Sequence, residues 1–136
     1  MSKRESICTD DAPAAIGPYS QAIHTGELVF VSGQIPLEPK SGKLEVSSIE
    51  AETQQVLRNL RAILEAAGSS LPRVVKTTIY LTNLEDFAAV NAVYGEFFSD
   101  APPARATVQV AALPMGARIE IDAIALAANP PPPGKE

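Results

Sequence analysis

Hydrophobic spacing changes four times between an extended and a helical period along this chain, and that alternation limits the folds open to it. Ile49, Thr53, Val56, Leu57, Leu60, Ile63, Leu64 and Ala67 recur along one helical face. Ser47 stands three residues before Glu50 in a capping-box pattern that predicts the start near Ser47, and Gly68 supplies the stop. Val74–Leu81 is β-branched and aromatic, which predicts a strand. Thr82 with Glu85, or Asn83 alone, caps a second helix that buries Phe87, Val90, Tyr94, Phe97 and Phe98 until Pro102-Pro103 breaks it. Residues 102–126 then alternate as two strands about a proline turn, read here as a hairpin.

Upstream, a short strand is expected near Ile7, and Ile16-Gly17-Pro18-Tyr19 is a turn. Ala22 to Thr25 and Leu28 to Ser32 flank Gly26-Glu27, a loop suited to a hairpin. The order is strands, helix, strand, helix, two strands. Both helices act as crossovers and therefore share one face of a single mixed sheet, an α+β two-layer sandwich. Leu28-Val29-Phe30-Val31 and Ile124 to Leu126 are apolar on both strand faces, whereas two helices cover only one. A second copy of the chain is the expected cover for the other face.

At 136 residues the chain is long enough for one domain, expected over 1–128, with a disordered proline-rich tail at 129–136. A net charge of −5 gives no footprint for nucleic acid or an anionic membrane, and no apolar run approaches a membrane span. Cys8, the single cysteine, cannot form an internal disulfide and offers no metal-ligand spacing. With no signal-peptide pattern at the start, a cytoplasmic location is expected.

The final strands carry Arg105 and Glu120, which a plain sheet does not need. Arginine offers a planar cationic fork for a carboxylate, and glutamate can act as general base or orient water. Alternation sets Arg105, Thr107 and Gln109 on one face, opposite Ala106 and Val108; Glu120 and Asp122 lie opposite Ile119, Ile121 and Ala123. The Ala/Val and Ile/Ala sets belong against the helices, so Arg105, Thr107, Glu120 and Asp122 are all expected on the face a partner chain covers. There they form either a salt-bridge network between subunits or a ligand pocket. If the turn pairs Gln109 with Glu120, Arg105 lies roughly 13 Å further along at ~3.3 Å per residue, too far for a tight ion pair. The two then grip opposite ends of a small molecule or meet through a neighbouring subunit.

Other residues carry less. His24 is the only histidine and reads as a surface strand residue, which leaves no two-histidine ribonuclease mechanism. Ser32-Gly33-Gln34 follows a buried strand, where a glycine either ends the strand or permits close approach to a ligand. Tyr19 lids a pocket or simply packs. Asn91 lies between core positions of the second helix and reads as a buried, structural amide.

These segments resemble the Rid family, the reactive intermediate deaminases also called YjgF or L-PSP proteins. The resemblance rests on Ala15-Ile16-Gly17-Pro18-Tyr19-Ser20-Gln21-Ala22, Val31-Ser32-Gly33-Gln34-Ile35-Pro36, Val75-Lys76-Thr77-Thr78, Asp86-Phe87 through Asn91 to Tyr94, Pro103-Ala104-Arg105, and Leu113-Pro114 to Ile119-Glu120-Ile121. It spans nearly the whole chain in family order. It implies a homotrimer similar in fold to the trimeric chorismate mutases, with pockets between subunits. It also implies hydrolysis of 2-imino acids, such as 2-iminobutanoate and 2-iminopropanoate, to 2-keto acids and ammonia. In the family such imines escape from pyridoxal-phosphate enzymes, so the resemblance implies a role in detoxification.

On this resemblance Arg105 holds the substrate carboxylate, and Tyr19, Ser32, Gly33, Asn91 and Thr107 complete the binding site. Glu120 orients water or takes its proton, with no metal or organic cofactor needed. Thr107 stands where many members carry cysteine, and Asp122 where glutamate is more usual. A non-catalytic 2-keto acid sensor would use the same pocket. An endoribonuclease or translation-inhibitor role, also attached to the family, is disfavoured by the acidic charge and solitary histidine.

Overall fold

The structure, a computed structural model, describes residues 4–127; the tail expected at 129–136 lies outside them. Strands β1 (Glu5–Ile7), β2 (Ala22–His24) and β3 (Leu28–Gln34) precede helix α1 (Ile49–Ala66). Then come β4 (Val74–Leu81), α2 (Phe87–Phe97), β5 (Ala104–Gln109) and β6 (Ile119–Leu126). The strands form one mixed sheet in the order β1-β2-β3-β6-β4-β5, parallel only between β4 and β5. Both helices pack on one face, as the α+β reading requires.

The helix boundaries follow from local hydrogen bonds. Ser48, not Ser47, caps α1: it is extended, and its hydroxyl accepts the Ala51 N–H at 3.0 Å. The Ser47 hydroxyl is instead engaged by Glu45 in the preceding turn. At the other end the Gly68 N–H donates to Glu65 O and the Ser69 N–H to Leu64 O, a Schellman closure that needs φ +81° at Gly68. Asn83 caps the single turn leading into α2 by accepting the Glu85 N–H.

Helical and strand periods meet in one core. Val56, Leu57, Leu60, Ile63 and Leu64 of α1 and Val90 and Tyr94 of α2 are buried with Ile79, Leu81, Ile119, Ile121 and Ala125 of the sheet. Glu52, buried in the first turn of α1, is bound by Arg118 Nε and Nη2 at 3.1 and 2.5 Å, tying the helix to the entry of β6. That contact raises the Arg118 pKa further above its ordinary value. Arg118→Ala leaves a buried carboxylate without its cation. A loss of about 1–3 kcal/mol in urea unfolding is expected, less than for a fully buried pair because the Arg118 side chain is 45% exposed.

The 102–126 hairpin does not exist. β5 and β6 are separated by β4, which pairs with both. The α2 crossover delivers β5 parallel to β4 on its outer side, and β6 returns antiparallel into the slot between β3 and β4. Ile119, Ile121, Ala123 and Ala125 make β6 the strand best suited to that central place, while polar Ala104–Gln109 forms the edge.

This topology also corrects the assignment of faces. Arg105 pairs with Thr77 and Thr107 with Ile79, both of which point to the helices. Glu120 pairs with Tyr80 and Asp122 with Thr78, on the open face. Arg105 and Glu120 therefore lie on opposite faces of the sheet. They stand roughly 10 Å apart along the strands and roughly 9.5 Å across two strand spacings. The open face itself is apolar as expected: Phe30, Val108 and Leu126 are 42, 41 and 45% exposed.

Candidate active site

A β-bulge sets the position of Glu120. Along β3 and β6, Val31 pairs with Ala123 but Gln34 with Ile121, so three steps on β3 face two on β6. The extra residue lies at Ser32-Gly33, and the Glu120 side chain folds over it. A Cβ on Gly33 would stand 2.7 Å from Glu120 Cδ and nearer still to Oε2. Glycine leaves the room that the Glu120 carboxylate fills here; a larger residue would displace that carboxylate.

Around this point opens a cleft of about 470 Å³, lined by Pro13, Ile16, Tyr19, Leu37, Met115 and Glu120 among others. Its volume lies within the range of small-molecule sites. Its floor is polar, from Ser32, Gly33 and Glu120, and its mouth apolar, with Tyr19 55% exposed. Met115 turns the wall at φ +60°, a left-handed conformation unusual for a non-glycine residue. Burial, and then the negative charge of Asp122, push the Glu120 carboxyl above its usual pKa.

The residues that build the cleft wall were not singled out from the sequence. Gln21 is buried; its Oε1 accepts the Thr9 N–H at 2.7 Å, and its Nε2 donates to Thr9 O and Pro13 O at 3.0 and 2.7 Å. Asn59, on α1, donates to Leu37 O at 2.9 Å and is held by Gln55. Each pins an irregular segment that has no ladder to satisfy its backbone. The available signal was a polar residue within an apolar run: Gln21 before Ala22-Ile23, and Asn59 between Leu57 and Leu60. Ser32 is also structural in part, its hydroxyl donating to Ser20 O at 2.6 Å.

Arg105 is built separately. Its guanidinium lies over the rings of Tyr94 and Phe87, 4.9 and 5.4 Å from their centres, and Nη1 donates to Asn91 Oδ1 at 2.8 Å. Thr77 meets the Tyr94 hydroxyl at 2.7 Å beneath it, and burial raises the Tyr94 pKa. Two aromatic faces and one amide thus fix the cation at the exposed edge of the sheet. Asn91 is exposed rather than buried, because the helix turns it to the β5 edge. Thr107 lies two residues along the same strand face.

Within one chain, then, Tyr19, Ser32, Gly33 and Glu120 form one group and Asn91, Arg105 and Thr107 another. His24 belongs to neither. Contrary to its reading as a surface residue it is fully buried, and its Nδ1 accepts the Gly26 N–H at 3.0 Å. His24 pairs with Val29, a fully buried core residue, so the histidine points to the core side of the sheet.

The family described as Endoribonuclease L-PSP matches residues 9–127. The chain belongs to the Rid family. A 2-iminobutanoate/2-iminopropanoate deaminase of Mus musculus is 50% identical over 123 residues, 90% of this chain and 91% of that one. Protein DfrA of Myxococcus xanthus is 53% identical over 125 residues, 90% of this chain and 95% of its own length. Among solved structures, E. coli TdcF with bound serine superposes with a TM-score of 0.88 at 42% identity, covering 91% of this chain and 99% of that one. The two groups of residues are thus the candidate site of a Rid fold. Among the described residues no helix is long and apolar enough to cross a membrane.

Proposed function

We propose that this Rid protein hydrolyses small 2-imino acids, of the 2-iminobutanoate and 2-iminopropanoate class, to 2-keto acids and ammonia in pockets between subunits of a homotrimer. The observation that carries this reading is the division of the site. A preorganised carboxylate-binding cation and a proton-carrying carboxyl lie on opposite faces of one sheet, so neither alone can hold and react a substrate. When the β5 edge of a second copy lies over the cleft, its Arg105 comes to the Glu120 of the first. The exposed apolar face around Phe30, Val108 and Leu126 supplies surface for such packing. Closed three-fold symmetry repeats the junction at each contact.

In that pocket the Arg105 fork binds the substrate carboxylate, with Asn91 and the two rings preventing the cation from turning away. The backbone near Gly33 and Thr107 orients the imine, and Tyr19 covers the mouth. Water adds to the iminium carbon while Glu120 takes its proton, giving a neutral carbinolamine. Glu120 returns that proton to the nitrogen. The C–N bond then breaks with its electrons on nitrogen, while the hydroxyl gives its proton to the Glu120 carboxylate and becomes the keto oxygen; Glu120 passes that proton to the departing ammonia, which leaves as ammonium. The protonated imine is already electrophilic, so about 10²–10⁴-fold from acid–base help is the expected gain. Several relatives at about 50% identity carry deaminase names, and TdcF binds an amino acid with a free carboxylate, in support of this substrate class. The ribonuclease reading is disfavoured by buried His24, whose Nδ1 already accepts a backbone N–H.

The test follows the decay of enzymatically generated 2-iminobutanoate with and without protein, beside sedimentation of the same sample. Acceleration by a particle of three chains is expected. Unaccelerated decay refutes the activity, and in that case binding of 2-ketobutyrate would favour a sensor. A further variant probes the bulge. Gly33→Ala forces the Glu120 carboxylate from its seat. Because the end of that side chain can shift, the fold should persist with little change in melting temperature. A displacement of about 1 Å is expected to cost on the order of 10²-fold in rate.

A further inference from the structure

The open face holds a polar contact that the mechanism above does not use. The Tyr80 hydroxyl donates to Asp122 Oδ2 at 3.0 Å. Tyr80 lies directly opposite Glu120 in the β4–β6 ladder, so its side chain reaches diagonally past Glu120 to the next residue on that face. Asp122 is two residues from Glu120 on the same strand and face, with side chains roughly 7 Å apart at ~3.3 Å per residue. Both carboxylates are half-buried.

We propose that Asp122, anchored by Tyr80, is a positioning residue of the site: its fixed negative charge makes the neighbouring Glu120 carboxyl the group that holds the travelling proton. This rests on the imine-hydrolase reading for its catalytic meaning, although the control of Glu120 itself does not. Two like charges on one partly desolvated face cannot both ionise freely. The tyrosine fixes where the Asp122 carboxylate lies: its hydroxyl donates to Oδ2 and holds that group on the face of Glu120, which is itself seated over Gly33. The directions agree: burial, then the Asp122 charge, raise the Glu120 pKa. Burial, then the bond to Asp122, raise that of Tyr80, which keeps its proton for donation.

Other groups on this face do not supply the same control. Besides Tyr80, β4 presents Lys76, which pairs with Ile124 and whose Nζ lies 3.5 Å from the Oγ1 of Thr78, the residue opposite Asp122. β3 presents Leu28, Phe30 and Ser32, and β5 presents Ala106 and Val108, none of them charged. In the reaction, a carboxyl of raised proton affinity keeps the proton taken from water until the nitrogen can receive it. The same feature makes it the stronger base for the first step.

The experiment titrates Glu120 by carboxyl carbon NMR in the intact oligomer and records the pH dependence of kcat/KM for 2-iminobutanoate hydrolysis. In Asp122→Asn, loss of the neighbouring charge should move the Glu120 midpoint and the acid limb of the rate profile together to lower pH. The neutral-pH rate should fall by up to roughly tenfold, a fraction of a full general acid–base contribution. Asp122→Glu should restore both readouts, and Tyr80→Phe should move them part of the way. An unmoved Glu120 midpoint in Asp122→Asn overturns the proposal, as does a moved midpoint with an unmoved acid limb. If the wild-type protein leaves imine decay unaccelerated, the hydrolase reading fails and the NMR midpoint alone decides whether Asp122 governs Glu120.

Discussion

Arg105→Ala is expected to remove nearly all acceleration of 2-iminobutanoate decay while leaving the protein folded. The side chain is at the exposed edge of the sheet, so its loss takes little from the core. In the proposed pocket it leaves the substrate carboxylate without its cation. Removing one partner of such a pair costs about 2–5 kcal/mol, a fall of roughly 30- to 5,000-fold in kcat/KM. Arg105→Lys keeps the charge but not the fork, and should recover only part of the loss. Comparable rates for wild type and Arg105→Ala would remove arginine from the mechanism. The division of the site adds a sharper outcome. Arg105→Ala and Glu120→Gln chains, each inactive alone, should regain about a quarter of wild-type activity when dissociated and reassembled together, because some junctions then pair an intact Arg105 with an intact Glu120. No recovery from mixed oligomers would place both residues in one subunit's site.

Glu120→Gln should have opposite effects on rate and stability. The amide neither accepts the proton from water nor returns it, so a loss on the order of 10²–10⁴-fold is expected. For stability, burial followed by the Asp122 charge raises the folded-state pKa above the unfolded value. Stability from protonated Glu120 is fully present below the unfolded pKa and is lost as pH rises through the folded one. The neutral amide carries no such loss. The variant should therefore melt above wild type at neutral pH, with the gap closing toward about pH 4, near the ordinary glutamate value. Melting curves across that range check the sign. A variant melting below wild type at neutral pH would mean that the carboxylate is stabilised by a partner rather than burdened by its setting.

The two effects share one cause. Placing a carboxyl on a half-buried face beside another carboxyl disfavours its charge, and the same circumstance raises its affinity for a proton. The bulge at Ser32-Gly33 is its structural counterpart, giving up regular pairing so that Glu120 can lie against the backbone. Gln21 and Asn59 hold the surrounding loops, so the cleft depends on buried amides as well as on its lining.

Much of this arrangement was legible in sequence, for reasons that differ from element to element. The α1 stripe and the stop at Gly68 are local signals, and they located the helix to within two residues. The cap was misplaced by one because Ser47 and Ser48 offer the same hydroxyl, and only the backbone conformation and the Glu45 contact separate them. His24 was misread because strand exposure depends on what lies on either side. Asn91 was misread because a helix edge can face a neighbouring strand's side chain.

Sequence by itself determined the element types, the two-layer α+β plan, the apolar open face, and Arg105 and Glu120 as residues a plain sheet does not require. All of these follow from periodicity or chemistry within a few residues. Only the tertiary structure decided that β6 inserts between β3 and β4, which undid the hairpin and turned Arg105 away from Glu120. Alternation states which residues share a face of one strand. Which strand lies beside it is decided by crossover and by competition among edges for hydrogen bonds, neither of which is written in local spacing.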